Sequence, residues 1–213
     1  ETFRVLRLLR VIMTKRAVNG LIKDLTALSW PFVLTPHGFG RSLQSYDESD
    51  LVGALAEKIG VLESHGQKVF VGYGNLLGLI RDGGFLRFDD DLDLVVYHPT
   101  ASTSEVARCQ VALKDKLGDF DWLTNMDVPH LSFRLGEGLP VVDLFPAWDV
   151  SEEEIFVYPS GFLRKADLMP LGTELLHGFH LPIPKSPEAF LDAVYGNWRK
   201  EDRAFKLNWR KKS

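Results

Sequence analysis

Asp89, Asp90, Asp91 and Asp93 fall within five positions of GFLRFDDDLDLVVYHP, at the head of an apolar run. Like charges this close repel one another and resist desolvation. A divalent cation is the most direct way to offset them. Side chains alternate along a strand, so Asp91 and Asp93 share one face while Leu92 and Leu94 take the other. Val95 and Val96 carry the strand inward. Two carboxylates on one face at the mouth of a buried strand suit Mg2+ or Mn2+, hard cations that take oxygen ligands and share them with substrate phosphates. Asp89 has the same parity if the strand begins early, and Asp90 does not. The alternative is an acidic turn in water.

Asp143 lies in PVVDLFP, between Val141, Val142, Leu144 and Phe145. A lone charge on such a strand is costly to bury, so this aspartate must meet a cation. A neighbouring strand would bring it beside Asp91 and Asp93 and complete a three-carboxylate metal site. There it would serve as the third ligand or as the general base that takes a proton from an acceptor hydroxyl. An ion pair with an arginine such as Arg134 is the alternative.

Upstream, VFVGYGNLLGLIRDGGF reads as a strand, the turn Gly72-Tyr73-Gly74-Asn75, and a short helix. Glycine lets a backbone come close, and a helix N-terminus offers free N–H groups to phosphate oxygens. Arg81, two turns in, is placed for a bidentate phosphate contact. Gly72, Gly74, Asn75 and Arg81 are therefore candidate donor-binding residues, against the plainer reading of a turn that needs no ligand. His130, His177 and His180 are read first as structural or surface residues. Trp198 and Trp209 are read first as packing aromatics.

The elements that must position these groups follow from periodicity. DLVGALAEKIGVLESHG predicts a helix, with Leu51, Leu55, Ile59 and Leu62 at helical spacing and a stop at Gly66. KVFVGYG, LDLVVYH, FDWLTNM, HLSFRLG and LPVVDLFPAW predict strands. NLLGLIRDGG predicts a helix of about two turns. STSEVARCQVALKDKLG predicts a helix opened by a capping box, Ser102 with Glu105. GTELLHGFHLPIP predicts a hairpin turning at His177-Gly178. SPEAFLDAVYG predicts a helix capped by Ser186, with Pro187 first and Gly196 at its end. Strands joined by short connections mean an α/β (α+β) fold with a mixed sheet, not a doubly wound parallel one.

The 213 residues suit one domain with an extension, and 45% hydrophobic and 25% charged residues describe a globular chain with a sizeable core. A net charge of −4 gives no overall drive toward nucleic acid. The charge is uneven. Arg4, Arg7, Arg10, Lys15, Arg16 and Lys23 crowd the start, and WRKEDRAFKLNWRKKS is a basic tail. FRVLRLLRVIM predicts a helix whose arginine row faces water or an anionic membrane. LSWPFVLTPHGFGRSLQSYDESD, with Pro31, Pro36, Gly38 and Gly40, predicts a linker or irregular loop. Cys109 is the single cysteine, which fits a reducing cytosol and predicts a buried thiol.

GNLLGLIRDGGFLRFDDDLDL resembles the signature of the LicD/fukutin family within the nucleotidyltransferase fold: Gly-Thr-Leu-Leu-Gly, an arginine, Gly-Phe and an aspartate run. PVVDLFP resembles that family's later acidic strand. LPIPKSPEAFLDAVYGNW resembles its Pro-x-Pro, helix and Tyr-Gly-x-Trp ending. Asn75 stands where threonine is usual, and Phe88 where tryptophan is usual. The resemblance implies a nucleotidyltransferase-like mixed sheet flanked by helices, assigned to residues 50–213; the basic helix and linker at 1–49 lie outside it. It implies a metal-dependent phosphotransferase that moves a polyol phosphate or phosphocholine from a CDP-activated alcohol donor to a glycan or glycolipid acceptor, releasing CMP. The expected cofactor is Mg2+ or Mn2+. The expected setting is the cytoplasm, peripheral to an anionic membrane surface, in cell-surface polysaccharide or glycoconjugate synthesis. Nucleotidyl transfer to a small molecule and a noncatalytic binding module are the alternatives.

Overall fold

The computed structural model describes residues 32–35, 38–86, 89–100, 102–123 and 130–200. Along them run β1 (Phe32–Thr35), β2 (Gly38–Arg41), a 3-10 turn (Leu43–Ser45), α1 (Glu48–Ser64), β3 (Lys68–Val71), α2 (Tyr73–Asp82) and β4 (Leu92–His98). Then come α3 (Thr103–Lys116), β5 (Asp121–Trp122), β6 (Leu131–Arg134), β7 (Val141–Asp149), β8 (Glu154–Val157) and β9 (Gly161–Arg164). The short α4 (Lys165–Leu168), β10 (Gly172–Leu176), β11 (Phe179–Ile183) and α5 (Pro187–Tyr195) complete the described chain.

A seven-stranded sheet forms the centre, in the order β3-β4-β7-β6-β5, with β8 and β9 attached beyond β7. β4 and β7 run parallel, while β3 with β4, β6 with β7, and β5 with β6 are antiparallel, so the sheet is mixed as its short connections required. Val69, Phe70, Val71, Leu94, Val95, Val96, Val142 and Leu144 have no exposed surface. Strands covered on both faces read as continuous apolar runs rather than alternating ones, which is the pattern seen in KVFV and LVV. α1 buries Leu51, Val52, Leu55, Ile59 and Leu62 and packs on β3 and β11. α2 packs on β4 and α5, which brings the glycine turn to the head of the aspartate strand. No helix among the described residues is long and apolar enough to cross a membrane.

Most elements stand where periodicity put them, and the exceptions have physical causes. α2 begins at Tyr73, two residues ahead of the expected helix. The capping box at Ser102 does not form: the Glu105 carboxylate accepts the Thr100 hydroxyl at 2.6 Å, and Ser102 makes no side-chain cap bond. Cys109 is half-buried on α3 rather than buried. The expected linker carries the β1–β2 hairpin and the 3-10 turn, and Leu43 from that turn joins the main core. Proline and glycine mark hairpin turns as readily as loops, so punctuation alone misread this segment. The β8–β9 hairpin was not anticipated, because EIFV and GFLR are each only four residues long. The β10–β11 turn falls at His177-Gly178 as expected, with φ of 49° and 84°. Both central residues with positive φ are the hallmark of a tight two-residue hairpin turn. The predicted basic helix at 3–13 and the tail with Trp209 lie outside the described residues.

Gly78 makes a sharp test of α2 packing. A Cβ there would lie 2.4 Å from the Gly84 carbonyl oxygen and 2.9 Å from the Leu86 nitrogen, both backbone atoms. Alanine gains about 1 kcal/mol of helix propensity over glycine, but overpacking against backbone costs roughly 1–3 kcal/mol. The clash should prevail, so Gly78→Ala is expected to lower the urea midpoint without changing the m-value, read by equilibrium denaturation. A higher midpoint would mean the loop yields.

Candidate active site

The parallel register of β4 and β7 places Asp93 directly opposite Asp143. Neighbouring strands lie about 4.8 Å apart, and paired residues put their side chains on the same face. The expected meeting of Asp93 with the later strand aspartate is therefore what the sheet provides. Asp91 sits one residue ahead of β4. Asp89, Asp90 and Asp91 each offer an oxygen atom within 4.8 Å of the others. They form the tightest acidic group among the described residues, while Asp93 and Asp143 stand deeper, across the strand pair.

The start of α2 is joined to Asp93 at three points. The Gly72 N–H donates to the Asp93 carbonyl oxygen at 3.0 Å, and the Gly74 N–H donates to Asp93 Oδ2 at 3.1 Å. The Asp93 N–H donates to Asn75 Oδ1. Asn75 is completely buried, and its Nδ2 has no hydrogen-bond partner among the described residues. A side chain at either glycine would crowd the site. A Cβ at Gly72 would lie 2.8 Å from Val95 Cγ2, and one at Gly74 would lie 2.4 Å from Asp89 Oδ2 and 3.6 Å from Asp93 Oδ2. Gly74 thus lets two carboxylates descend onto the helix N-terminus, where the dipole and the free N–H groups favour negative charge. Tyr73, between the glycines, has φ of 44°, a left-handed backbone that is uncommon outside glycine. Its ring packs against Phe145 and Phe190, and its hydroxyl donates to the Tyr158 carbonyl.

That favourable field does not cancel the crowding. Burial pushes the Asp93 carboxyl well above the usual carboxylate range, and the charges of Asp91, Asp89 and Asp143 push it further. Burial and the neighbouring Asp91 do the same to Asp89. Tyr195, at the end of α5, feels the same charges: burial first, then Asp93 and Asp89, raise its phenol well above its ordinary value. Every donor in the group is a carboxylate oxygen, and their mutual repulsion is the condition a hard divalent cation relieves.

Asp143 has one hydroxyl donor and one ring nitrogen near its carboxylate. The Ser132 hydroxyl donates to Oδ1 at 2.6 Å, and His130 Nε2 lies 3.4 Å from Oδ2. The His130 ring rests on Phe145, with centroids 4.7 Å apart. Arg134, the arginine considered as its partner, instead reaches Asp121 at 3.4 Å. Arg81 lies at the far end of α2, about 10 Å from Gly74 along the helix axis. Its Nε and Nη2 donate to Asp82 at 2.8 and 2.7 Å, which holds the Asp82 carboxyl below its usual value. His177 pairs with Glu48, His180 is exposed on β11, and Trp198 is buried with Nε1 donating to Asp192 at 2.7 Å. These keep to the structural roles expected of them. His130, read first as structural, stands at the site. Ser132 and Tyr195 went unassigned, although Tyr195 lies in the quoted Tyr-Gly-x-Trp ending and Ser132 interrupts an apolar strand.

The model of the LicD/FKTN/FKRP nucleotidyltransferase domain matches residues 66–186. No curated protein matches the chain in sequence. Among solved structures, the solution structure of the antibiotic-resistance factor ANT(2'')-Ia is similar with a TM-score of 0.45 and 15% identity, over 69% of this chain and 84% of that one. A crystal structure of ANT(2'')-Ia in complex with adenylyl-2''-tobramycin gives 0.42 and 16%, over 64% and 68%. An antigenic nucleotidyltransferase-like protein from Paracoccidioides brasiliensis gives 0.44 and 21%, over 68% and 63%.

The crowding has a measurable consequence for the metal-free protein. A carboxyl whose folded pKa is raised binds its proton at higher pH than the unfolded chain does, near 3.9. Its penalty on stability is full above the folded pKa and fades as pH falls through that value. Asp93→Asn keeps an acceptor for the Gly74 N–H and removes one charge. In EDTA its thermal midpoint at neutral pH should equal or exceed that of the wild type. That advantage should shrink as the pH is lowered toward the ordinary carboxylate range. A midpoint well below wild type at neutral pH would show that Asp93 stabilises the fold as a charge.

Proposed function

Because the chain belongs to the LicD/FKTN/FKRP nucleotidyltransferase-domain family, we propose that it moves a phospho-alcohol from a CDP-activated donor to a glycan or glycolipid hydroxyl. The observation that supports this reading most is the placing of Asp93 opposite Asp143 on parallel strands, with Asp91 and Asp89 close by, under the N-terminus of α2. Asp91, Asp93 and Asp143 would hold Mg2+ or Mn2+, with Asp89 beside them. Such a cation, when bound, neutralises charge on a diphosphate and on the departing phosphate.

The chain's own groups account for the rest. Ser132 orients Asp143, as hydrogen-bonded neighbours orient ligating carboxylates in metal sites, and His130 stands beside it. Asn75 Nδ2, a buried donor without a partner among the described residues, is left to serve the donor phosphates together with the turn at Gly72 and Gly74. Arg81 reaches a phosphate by exchanging Asp82 for it, since a guanidinium binds both oxyanions with the same fork. The acceptor hydroxyl oxygen attacks the phosphorus that carries the alcohol. The bond from that phosphorus to the bridging oxygen breaks, CMP leaves with the electron pair, and the hydroxyl proton is released. The basic residues between Arg4 and Lys23 suit an anionic membrane surface bearing the acceptor. Nothing in the overall charge suits nucleic acid.

Incubation with a panel of CDP-alcohols and glycan acceptors should release CMP, and EDTA should stop it. Asp91→Asn should lower turnover by about a hundredfold or more while the protein stays folded. Pyrophosphate release from a nucleotide in place of CMP would assign nucleotidyl transfer to a small molecule. Full turnover in EDTA would remove the metal from the reaction.

Arg81→Ala provides a separate test of the donor site. It should raise the donor KM, or lower kcat if the contact tightens only in the transition state. Unchanged kinetic constants would remove Arg81 from the donor site.

A further inference from the structure

Asp89, Asp90 and Asp91 lie on the connection from α2 to β4, whose described residues have no regular secondary structure. A loop that carries repelling charges needs to be held. The holding groups come from residues 40–48, ahead of the span that the family model matches. The Leu43 N–H donates to the Asp89 carbonyl oxygen at 2.8 Å. Glu48 Oε1 accepts the Phe85 N–H at 2.7 Å, and a Cβ at Gly84 would lie 2.7 Å from the same oxygen. The Gly40 backbone lies so close to Asp90 that a Cβ there would fall 1.7 Å from Asp90 Oδ2 and 2.5 Å from Asp90 Cβ.

These holding residues are themselves braced. Leu43 is buried in the core, and Ser42 accepts the Gln44 N–H at the start of the 3-10 turn. Arg41 ties that turn down through the Ser45 hydroxyl at 2.8 Å and the Ser45 carbonyl at 3.1 Å. The second oxygen of Glu48 lies 2.8 Å from His177 Nε2 on the β10–β11 turn. Glu48 therefore links three separate pieces of chain: the start of α1, the acidic loop and the far hairpin.

We infer that residues 40–48 are a clamp that sets the spacing of the acidic loop, with Glu48 and Gly40 as positioning residues for the cation site. Repulsion among Asp89, Asp90 and Asp91 drives the loop to open. The clamp opposes that motion from outside the cluster and keeps the oxygens gathered before any ligand arrives. A preorganised ligand set binds more tightly because less ordering is left to be done on binding. The inference rests on the metal reading above.

Mn2+ titration by calorimetry on the metal-free protein tests it without reference to turnover. Glu48→Ala and Gly40→Ala should each weaken Mn2+ binding by roughly tenfold to a hundredfold, the range seen when outer groups of metal sites are removed. Glu48→Gln retains an acceptor for the Phe85 N–H and should stay within about threefold of wild type. The Phe85 amide proton should be protected from exchange in the wild type and lose that protection in Glu48→Ala. Should Glu48→Ala fail to fold, Gly40→Ala carries the test. Wild-type affinity in the folded alanine variants would overturn the clamp alone. Absence of Mn2+ binding by the wild type would overturn the metal reading and the clamp together.

Discussion

Negative charge crowded onto two adjacent strands is the constraint around which the rest of the molecule is arranged. Asp93 and Asp143 face each other across the parallel pairing of β4 with β7, and Asp89 to Asp91 come in from the preceding loop. Opposed carboxylates in a half-buried position are unstable unless something compensates. The protein compensates in part with dipoles: the N–H of Gly74 for Asp93, and the hydroxyl of Ser132 for Asp143. Dipoles leave the carboxyls of Asp89 and Asp93 pushed upward, so the compensation is incomplete. A site that fully neutralised its own carboxylates would have little left to offer a cation. The stability given up here is of the kind that active sites commonly forgo.

The glycines acquire a physical meaning in this setting. Gly72 and Gly74 read in sequence as a cradle for a ligand's phosphates, and their first duty is nearer home. Gly72 admits Val95 against the turn, and Gly74 admits Asp89 and Asp93 onto the helix N-terminus. The same N–H field that draws a phosphate draws the protein's own carboxylates. Asn75 shows the division of labour within one side chain: its Oδ1 holds the Asp93 backbone, and its Nδ2 is buried without a partner among the described residues. Arg81, placed by the sequence for a phosphate, pairs in the fold with its neighbour Asp82.

Much of this was legible in the amino-acid order. The buried strand at Leu92–His98, the helix at Pro187–Tyr195 and the turn at His177-Gly178 follow from apolar runs, caps and turn residues, which are local properties. The face shared by Asp91 and Asp93 follows from the alternation of side chains along an extended chain. The need of Asp143 for a partner follows from its apolar neighbours. What local reading missed was equally local in appearance. The hairpin at 32–41 carries the prolines and glycines of a linker, and Ser102 with Glu105 has the letters of a capping box that Thr100 disrupts.

Sequence by itself therefore singled out the candidate carboxylates, because residue type and period two or 3.6 need no knowledge of distant chain. Tertiary structure alone decided who meets whom. That Asp143 stands opposite Asp93 depends on β7 adding to β4 in parallel and in one register, and a slip of one residue would have turned it to the other face. That His130 and Ser132 serve Asp143, while Arg134 goes to Asp121, depends on how β6 pairs with its neighbours. That Glu48 grips Phe85 across 37 positions depends on the docking of α1 beside the loop. Such partners are chosen by packing and pairing free energy summed over whole elements, and no single stretch of sequence carries that sum.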